Sequence, residues 1–265
     1  MIGFGQLTMI PDTNFEQALI NLGYDSGAIN GSVYTASIDT VLILGVTSCY
    51  ISDLTGIEDF SSLTELYCSS NSLDSLDLSN NTALTHLKCS DMAIKYIDVS
   101  QNTALEHLFF DDSQLTSLDV SNNTALTYLS FRYNQLTSLD VSNNTALTEL
   151  ICHGNQLTSL DVRNGNNINF TSFMTTSGSW SNNPNLYCIN VDDSQYSIIN
   201  WLGVAGNGGP PPFYFDPQHY FSNNCPPTSI EEHSTNKELL KVTDLLGREV
   251  NEKRNTTLFY IYNDG

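Results

Sequence analysis

The chain has 265 residues, 29 acidic and 9 basic, with a formal charge of −20, and is long for one ordinary domain and short for two large ones. Residues 1–225 hold 22 of the acids and only 4 of the bases, a balance that repels nucleic acid and anionic lipid, which need clustered Lys and Arg. No stretch is long and apolar enough to span a bilayer, and apolar residues recurring on a fixed period argue against a disordered acidic chain.

The opening residues 1–6 are short, apolar and rich in small residues. They read as a signal-peptide remnant lacking its basic region, or as a frayed terminus. Residues 7–40 form an N-terminal cap. In Pro11-Asp12-Thr13-Asn14-Phe15-Glu16, Thr13 and Glu16 have capping-box spacing. Phe15, Ala18, Leu19 and Leu22 follow at helical spacing, and Gly23 suits the stop.

Residues 41–193 are repetitive. Five blocks follow without gaps, 63–83, 84–104, 105–125, 126–146 and 147–167, each fitting LxxLx(C/F)xxNxLxxLDVSNNTA. A divergent turn at 41–62 precedes them, keeping Val41, Leu44, Val46, Cys49 and Ile51. A degenerate turn through about 170–193, with Leu186, Ile189 and Val191, closes the array. The pattern contains the core LxxLxLxxNxL of leucine-rich repeats. One turn cannot bury its Leu face, but stacked turns share one core. The alternation at the end of LxxLxL predicts a short strand paired in parallel with the next turn. LxxLDV predicts a second short strand on the opposite wall of each turn, and SNNT is turn chemistry. The predicted fold is a β-rich leucine-rich-repeat solenoid with an N-terminal capping helix and a small C-terminal β module.

Two inward columns carry further expectations. Cys68, Cys89, Phe110, Phe131 and Cys152 occupy one apolar slot, where cysteine serves as a small hydrophobe and is expected to stay reduced. Asn71, Met92, Ser113, Asn134 and Asn155 occupy the next. Asn there satisfies backbone groups at the bend, so Met92 and Ser113 predict irregularity in the second and third turns.

Residues 194–225 read as a C-terminal cap, tied by a disulfide between Cys188 and Cys225 that would contribute roughly 3–4 kcal/mol. The Gly203–Pro212 segment is a surface loop by composition. Pro226-Pro227-Thr228-Ser229 reads as a linker to a tail, 226–265, that ends in the strand-like Leu258-Phe259-Tyr260-Ile261-Tyr262.

The repeat resembles the short leucine-rich repeats of exported Bacteroidetes proteins. IPDTNFEQALINLGYD and NNPNLYCINVDD resemble the caps flanking such arrays. The tail, through Leu245-Leu246-Gly247-Arg248-Glu249 and the LFYIY segment, is similar to the C-terminal sorting domain of type IX secretion substrates, without the basic, β-branched strand that usually follows. The resemblance implies a secreted or cell-surface protein handled by the type IX machinery, in a sequence incomplete at both ends.

No GxSxG, P-loop, HExxH or CxxC signature occurs, so no enzyme and no cofactor are expected. His86, His107 and His153 share a wall, but a metal centre needs three or four converging ligands. Asp77, Asp98, Asp119, Asp140 and Asp161 form an outward column on the LDV wall. Calcium could neutralise it; hydrogen bonds from neighbouring Ser, Asn and Thr groups could do so equally, and are the preferred reading.

LTSLDVSNNTA barely changes between turns, while the outward slots of the other half differ each time. One column reads Glu65, His86, His107, Tyr128, Glu149, and the next Tyr67, Lys88, Phe109, Ser130, Ile151. Beyond the inward slot come Ser69, Ser90, Asp111, Arg132, His153 and then Ser70, Asp91, Asp112, Tyr133, Gly154. Large aromatic, His and Arg side chains dominate binding hot spots. The candidate ligand face is therefore Glu65, Tyr67, His86, Lys88, His107, Phe109, Asp111, Tyr128, Arg132, Tyr133, Glu149, Ile151 and His153, presented to a protein or carbohydrate. The alternatives are unconstrained drift on a structural or spacer protein, or a non-catalytic part of a larger secreted enzyme.

Overall fold

The computed structural model describes residues 5–176, 183–201, 214–215 and 218–226, with the backbone of strands at 213–214, 239–243 and 259–262. Residues 1–4, the 203–212 loop, the 227–229 part of the linker and the Leu245–Glu249 motif lie outside them. The chain divides into two units, Met1–Pro226 and Pro227–Gly265.

The first unit opens with β1 (Leu7–Met9), α1 (Thr13–Leu22) and β2 (Ser32–Tyr34), β1 and β2 pairing antiparallel. The cap residue of α1 is Asp12, not Thr13. Its Oδ1 accepts the amides of Asn14 and Phe15, and its Oδ2 accepts the amides of Ser52 and Asp53 and the Ser52 hydroxyl. One carboxylate thus starts the helix and fastens it to the first turn. Burial opposes its charge, but these bonds outweigh it and hold the Asp12 carboxyl below its ordinary range. Glu16 does not close a capping box. It is buried and receives the amides of Asn30 and Gly31. Phe15, Ala18 and Leu19 face the core while Leu22 stays exposed, and Gly23 ends the helix at φ 81°.

The solenoid follows as β3 (Ile43–Gly45), β4 (Glu65–Tyr67), β5 (His86–Lys88), β6 (His107–Phe109), β7 (Tyr128–Ser130), β8 (Ser138–Asp140), β9 (Glu149–Ile151), β10 (Ser159–Asp161), β11 (Ser172–Met174), β12 (Cys188–Asn190), α2 (Ser194–Trp201), β13 (Phe213–Tyr214) and β14 (Tyr220–Ser222). Strands β3, β4, β5, β6, β7, β9, β11 and β13 form one parallel sheet of eight. Leu66, Leu87, Leu108, Leu129 and Leu150 stand in register and buried. The register continues through β5 and β6, so Met92 and Ser113 cause no break there. Both side chains are buried in the slot, Ser113 donating to the Asp111 carbonyl.

The opposite wall differs from expectation. Only β8, β10, β12 and β14 pair there, so the second strand forms in the late turns and not in the first three. Between the early turns the wall opens into a groove of about 770 Å³ lined by Leu54, Leu76, Asp77, Tyr96 and Asp98.

Corner geometry rests on a ladder the turn-chemistry reading missed. The second Asn of each SNNT corner is buried, and its amide donates across turns: Asn102 to Leu78 O and Asn81 O, Asn123 to Val99 O and Asn102 O, Asn144 to Val120 O and Asn123 O. The anticipated ladder also exists, Asn71, Asn134 and Asn155 bonding backbone groups, and Asn183 extends it.

The C-terminal cap continues both sheets, with β13 on β11 and β14 on β12. Trp201, Phe170, Phe173, Phe215 and Phe221 close that end of the core as one aromatic cluster. Cys188 and Cys225 are bonded, their Cα atoms 5.8 Å apart. Cys68 and Cys89 are bonded as well, against the expectation that they stay reduced. Their Cα atoms lie 5.1 Å apart, because one rung of a parallel sheet falls inside the disulfide range. In the second unit, β15 (Leu239–Thr243) pairs antiparallel with β16 (Phe259–Tyr262), placing the last four residues of the LFYIY segment in a strand.

Candidate functional site

The eight-stranded sheet sets the outward residues of the variable half in two files. Pairing aligns Glu65, His86, His107, Tyr128 and Glu149 in one file and Tyr67, Lys88, Phe109, Ser130 and Ile151 in the other. The first file begins one turn earlier than the repeat pattern suggested, with exposed Ile43 opposite Glu65.

Aromatic rings in these files pack against one another. His86 and His107 stack with centroids 4.4 Å apart and planes at 11°, His107 and Tyr128 at 5.9 Å and 21°, Phe109 and Tyr128 at 4.6 Å and 30°. The Lys88 ammonium sits 5.7 Å from the Phe109 centroid, within cation–π range. Tyr67 donates its hydroxyl to Glu65, which raises the Tyr67 pKa. Burial, and next the neighbouring His86, push the His107 pKa down, favouring the neutral ring in the stack.

The column beyond the inward slot is structural where the sequence reading made it outward. Ser69 Oγ accepts the Ser90 amide, Ser90 Oγ the Asp111 amide, and Asp111 Oδ1 the Arg132 amide, a ladder running turn to turn. Asp111 is buried and also receives the Ser130 hydroxyl at 2.6 Å and Arg132 Nε at 3.0 Å. His153 is buried too, its Nδ1 without a partner, and its pKa is lowered by burial first and by Arg132 second. Asp111 and His153 therefore support the face from beneath. The cause is local backbone: the next residue in each turn takes positive φ, 56° at Ser70, 57° at Asp91, 50° at Asp112, 54° at Tyr133 and 72° at Gly154. That reversal folds the preceding side chain under the chain. Tyr133 packs edge-on to His153, and a Cβ at Gly154 would lie 2.4 Å from its ring.

The structure brings Tyr67, Lys88, Phe109, Tyr128, Arg132 and Ile151 together around one groove of about 570 Å³, within the range of ligand clefts. His86, His107 and Glu149 belong to the neighbouring file, and Tyr133 and His153 lie past Arg132. Asp91 and Asp112 also line the groove. Sequence reading placed them in a column but left them out of the candidate ligand face; their position one slot before the Asn column was the available signal.

On the other wall each Asp of the column turns back on its own backbone. Asp77, Asp98, Asp119 and Asp140 accept the amides of Ser79, Ser100, Ser121 and Ser142, and Asp161 that of Arg163. Bonds from Ser79, Ser100 and Ser121 hold Asp77, Asp98 and Asp119 below their ordinary pKa. Among the described residues, no three His, Cys, Asp or Glu side chains are grouped to hold a metal ion.

Register, buried Leu columns and Asn ladders define the class: the protein is a leucine-rich-repeat solenoid. Among solved structures it is similar to the functional domain of InlJ from Listeria monocytogenes, which includes a cysteine ladder, at 34% identity and TM-score 0.59 over 72% of this chain. The match spans 45% of that domain. An internalin C2 of the same organism matches at 18% identity and TM-score 0.48, over 71% of this chain and all of its own. No protein-family model and no curated protein matches the chain.

Proposed function

We propose that this protein is an extracellular or cell-surface recognition module, non-catalytic, that binds a protein or glycan through the variable wall. The observation that carries the reading is the groove, where large side chains from successive turns converge without being needed to hold the backbone. The larger groove on the LDV wall is a weaker candidate, because its Asp77 and Asp98 are engaged with their own turns. Two disulfides suit an oxidising compartment. Likeness to the InlJ domain and the resemblance of the tail to type IX sorting domains support export, with 226–265 as a removable sorting segment.

The test is binding to arrays of surface-protein ectodomains and glycans. Phe109→Ala, Tyr128→Ala and Tyr133→Ala combined should abolish binding with the fold retained by circular dichroism, while Asp119→Ala with Asp140→Ala should spare it. A triple variant that binds like the parent removes the assignment. Export is tested separately by deleting 226–265 in the native host; unchanged secretion sinks that part.

A further inference from the structure

Two kinds of surface meet in the groove: an aromatic floor, and a rim of carboxylates on adjacent turns. We propose that it takes an extended peptide segment of a partner protein, with one basic side chain seated between Asp91 and Asp112. This rests on the variable wall being the ligand face and narrows its ligand from protein or glycan to a basic peptide.

Glycans usually dock by laying a sugar face on an aromatic face. Here the ring faces of His86, His107, Tyr128 and Phe109 cover one another at 4.4–5.9 Å. Inserting a sugar between two rings would need about 7 Å or more, two van der Waals contacts of about 3.5 Å each. Within the stack, the ring faces turned toward one another are closed to a sugar.

Charge selects the partner. Asp91 and Asp112 occupy the same slot on adjacent turns, about 4.8 Å apart along the axis, so one ammonium or guanidinium can touch both. Among the described residues the Asp91 carboxylate accepts the Ser70 hydroxyl, while the Asp112 carboxylate makes no side-chain hydrogen bond or ion pair and feels Arg132 only through space. The groove already seats two cations of its own, Lys88 on Phe109 and Arg132 on Asp111, showing that both its floor and its rim accept positive charge. Arg132 is neutralised by that pairing and Lys88 is held on the ring, so neither is an open partner for an acidic ligand. The field of a body with 22 acids and 4 bases also draws in cationic partners and repels acidic ones. The resulting contact is an extended peptide lying along the groove, with one basic side chain fixing its register.

The experiment measures fluorescence anisotropy of labelled twelve-residue peptides with the full chain: neutral peptides bearing one central Lys or Arg, their Glu counterparts, and uncharged controls. The basic peptides should bind at least tenfold tighter than the Glu series. Asp91→Asn with Asp112→Asn should remove that preference. Asp77→Asn with Asp98→Asn, an identical charge change on the other wall, should leave it intact. Equal losses in both double variants would reduce the effect to bulk attraction and overturn the proposal. So would Glu peptides binding better and losing affinity with Lys88→Ala, or calcium alone saturating the Asp pair and blocking the peptides. Those outcomes leave the aromatic-triple test untouched, so failure here is distinguishable from failure of the binding wall itself.

Discussion

On the LDV wall the carboxylates bind their own turns and the corner amides bind the preceding one, whereas on the variable wall the outermost groups touch mainly one another. The same 21-residue unit thus has one side whose polar atoms are consumed by the backbone and one whose polar atoms remain available. Uniform sequence follows from the first condition, since replacing Asn123 would take a donor from two carbonyls of the preceding turn. Variable sequence follows from the second, since exchanging Lys88 or Tyr128 leaves no ladder unmet. Folding and recognition are therefore separable by substitution.

The largest effect is expected where the separation is sharpest. Asn123→Ala removes the side-chain donor from the carbonyls of Val99 and Asn102, each of which keeps one backbone amide, and should cost about 1–3 kcal/mol by urea denaturation, at ~0.5–1.5 kcal/mol per hydrogen bond lost. Next is Asp12→Ala, a lost cap worth about 0.5–2 kcal/mol. Because the folded Asp12 pKa is depressed, its contribution is full above the unfolded value of about 3.9 and is lost as pH falls through the folded one. The parent and variant stability curves should converge in strong acid. Gly154→Ala comes third: positive φ costs roughly 1–2 kcal/mol, and the new methyl meets the Tyr133 ring. Tyr133 fluorescence, read in a variant keeping it as the reporter, should shift while the Leu core persists.

A smaller test uses pH. His107 and His153 both have lowered pKa values, so the fold favours their neutral forms. Stability is then full above about 6.5 and declines on acidification toward the folded values. Replacing both with Gln should flatten the midpoint between pH 7 and 5; an unchanged slope would deny that these rings are buried as described. Smallest is Asp119→Asn, which keeps an acceptor for the Ser121 amide and should stay within about 0.5 kcal/mol.

Much of this was legible in the sequence. The 21-residue period gave the solenoid, its sheet and its Leu columns, because stacking leaves one register that buries every Leu. Three features were not. Asn80 and Asn81 are neighbours of one type, and nothing in their order says that the second is buried. The fate of Asp111 depends on a positive φ one residue later, which Asp112 does not announce, whereas Gly154 after His153 was an available signal. The Cys68–Cys89 bridge was missed because the slot read as a place for a small hydrophobe, although 5.1 Å between Cα atoms suits a disulfide. Beyond residue 193, β13 and β14 are single rungs whose pattern is too short to register as a repeat.

The corner ladder has a consequence for how such a chain can change length. Each buried Asn reaches carbonyls 24 and 21 positions back, so its partners belong to the preceding turn and to no other. Adding or deleting a whole 21-residue block restores every such bond, while shifting by any other number breaks them along the array. Growth and shrinkage of the protein are thereby quantised, in steps of about 4.8 Å of axis, and the groove can be lengthened or shortened by a rung without redesigning its ends.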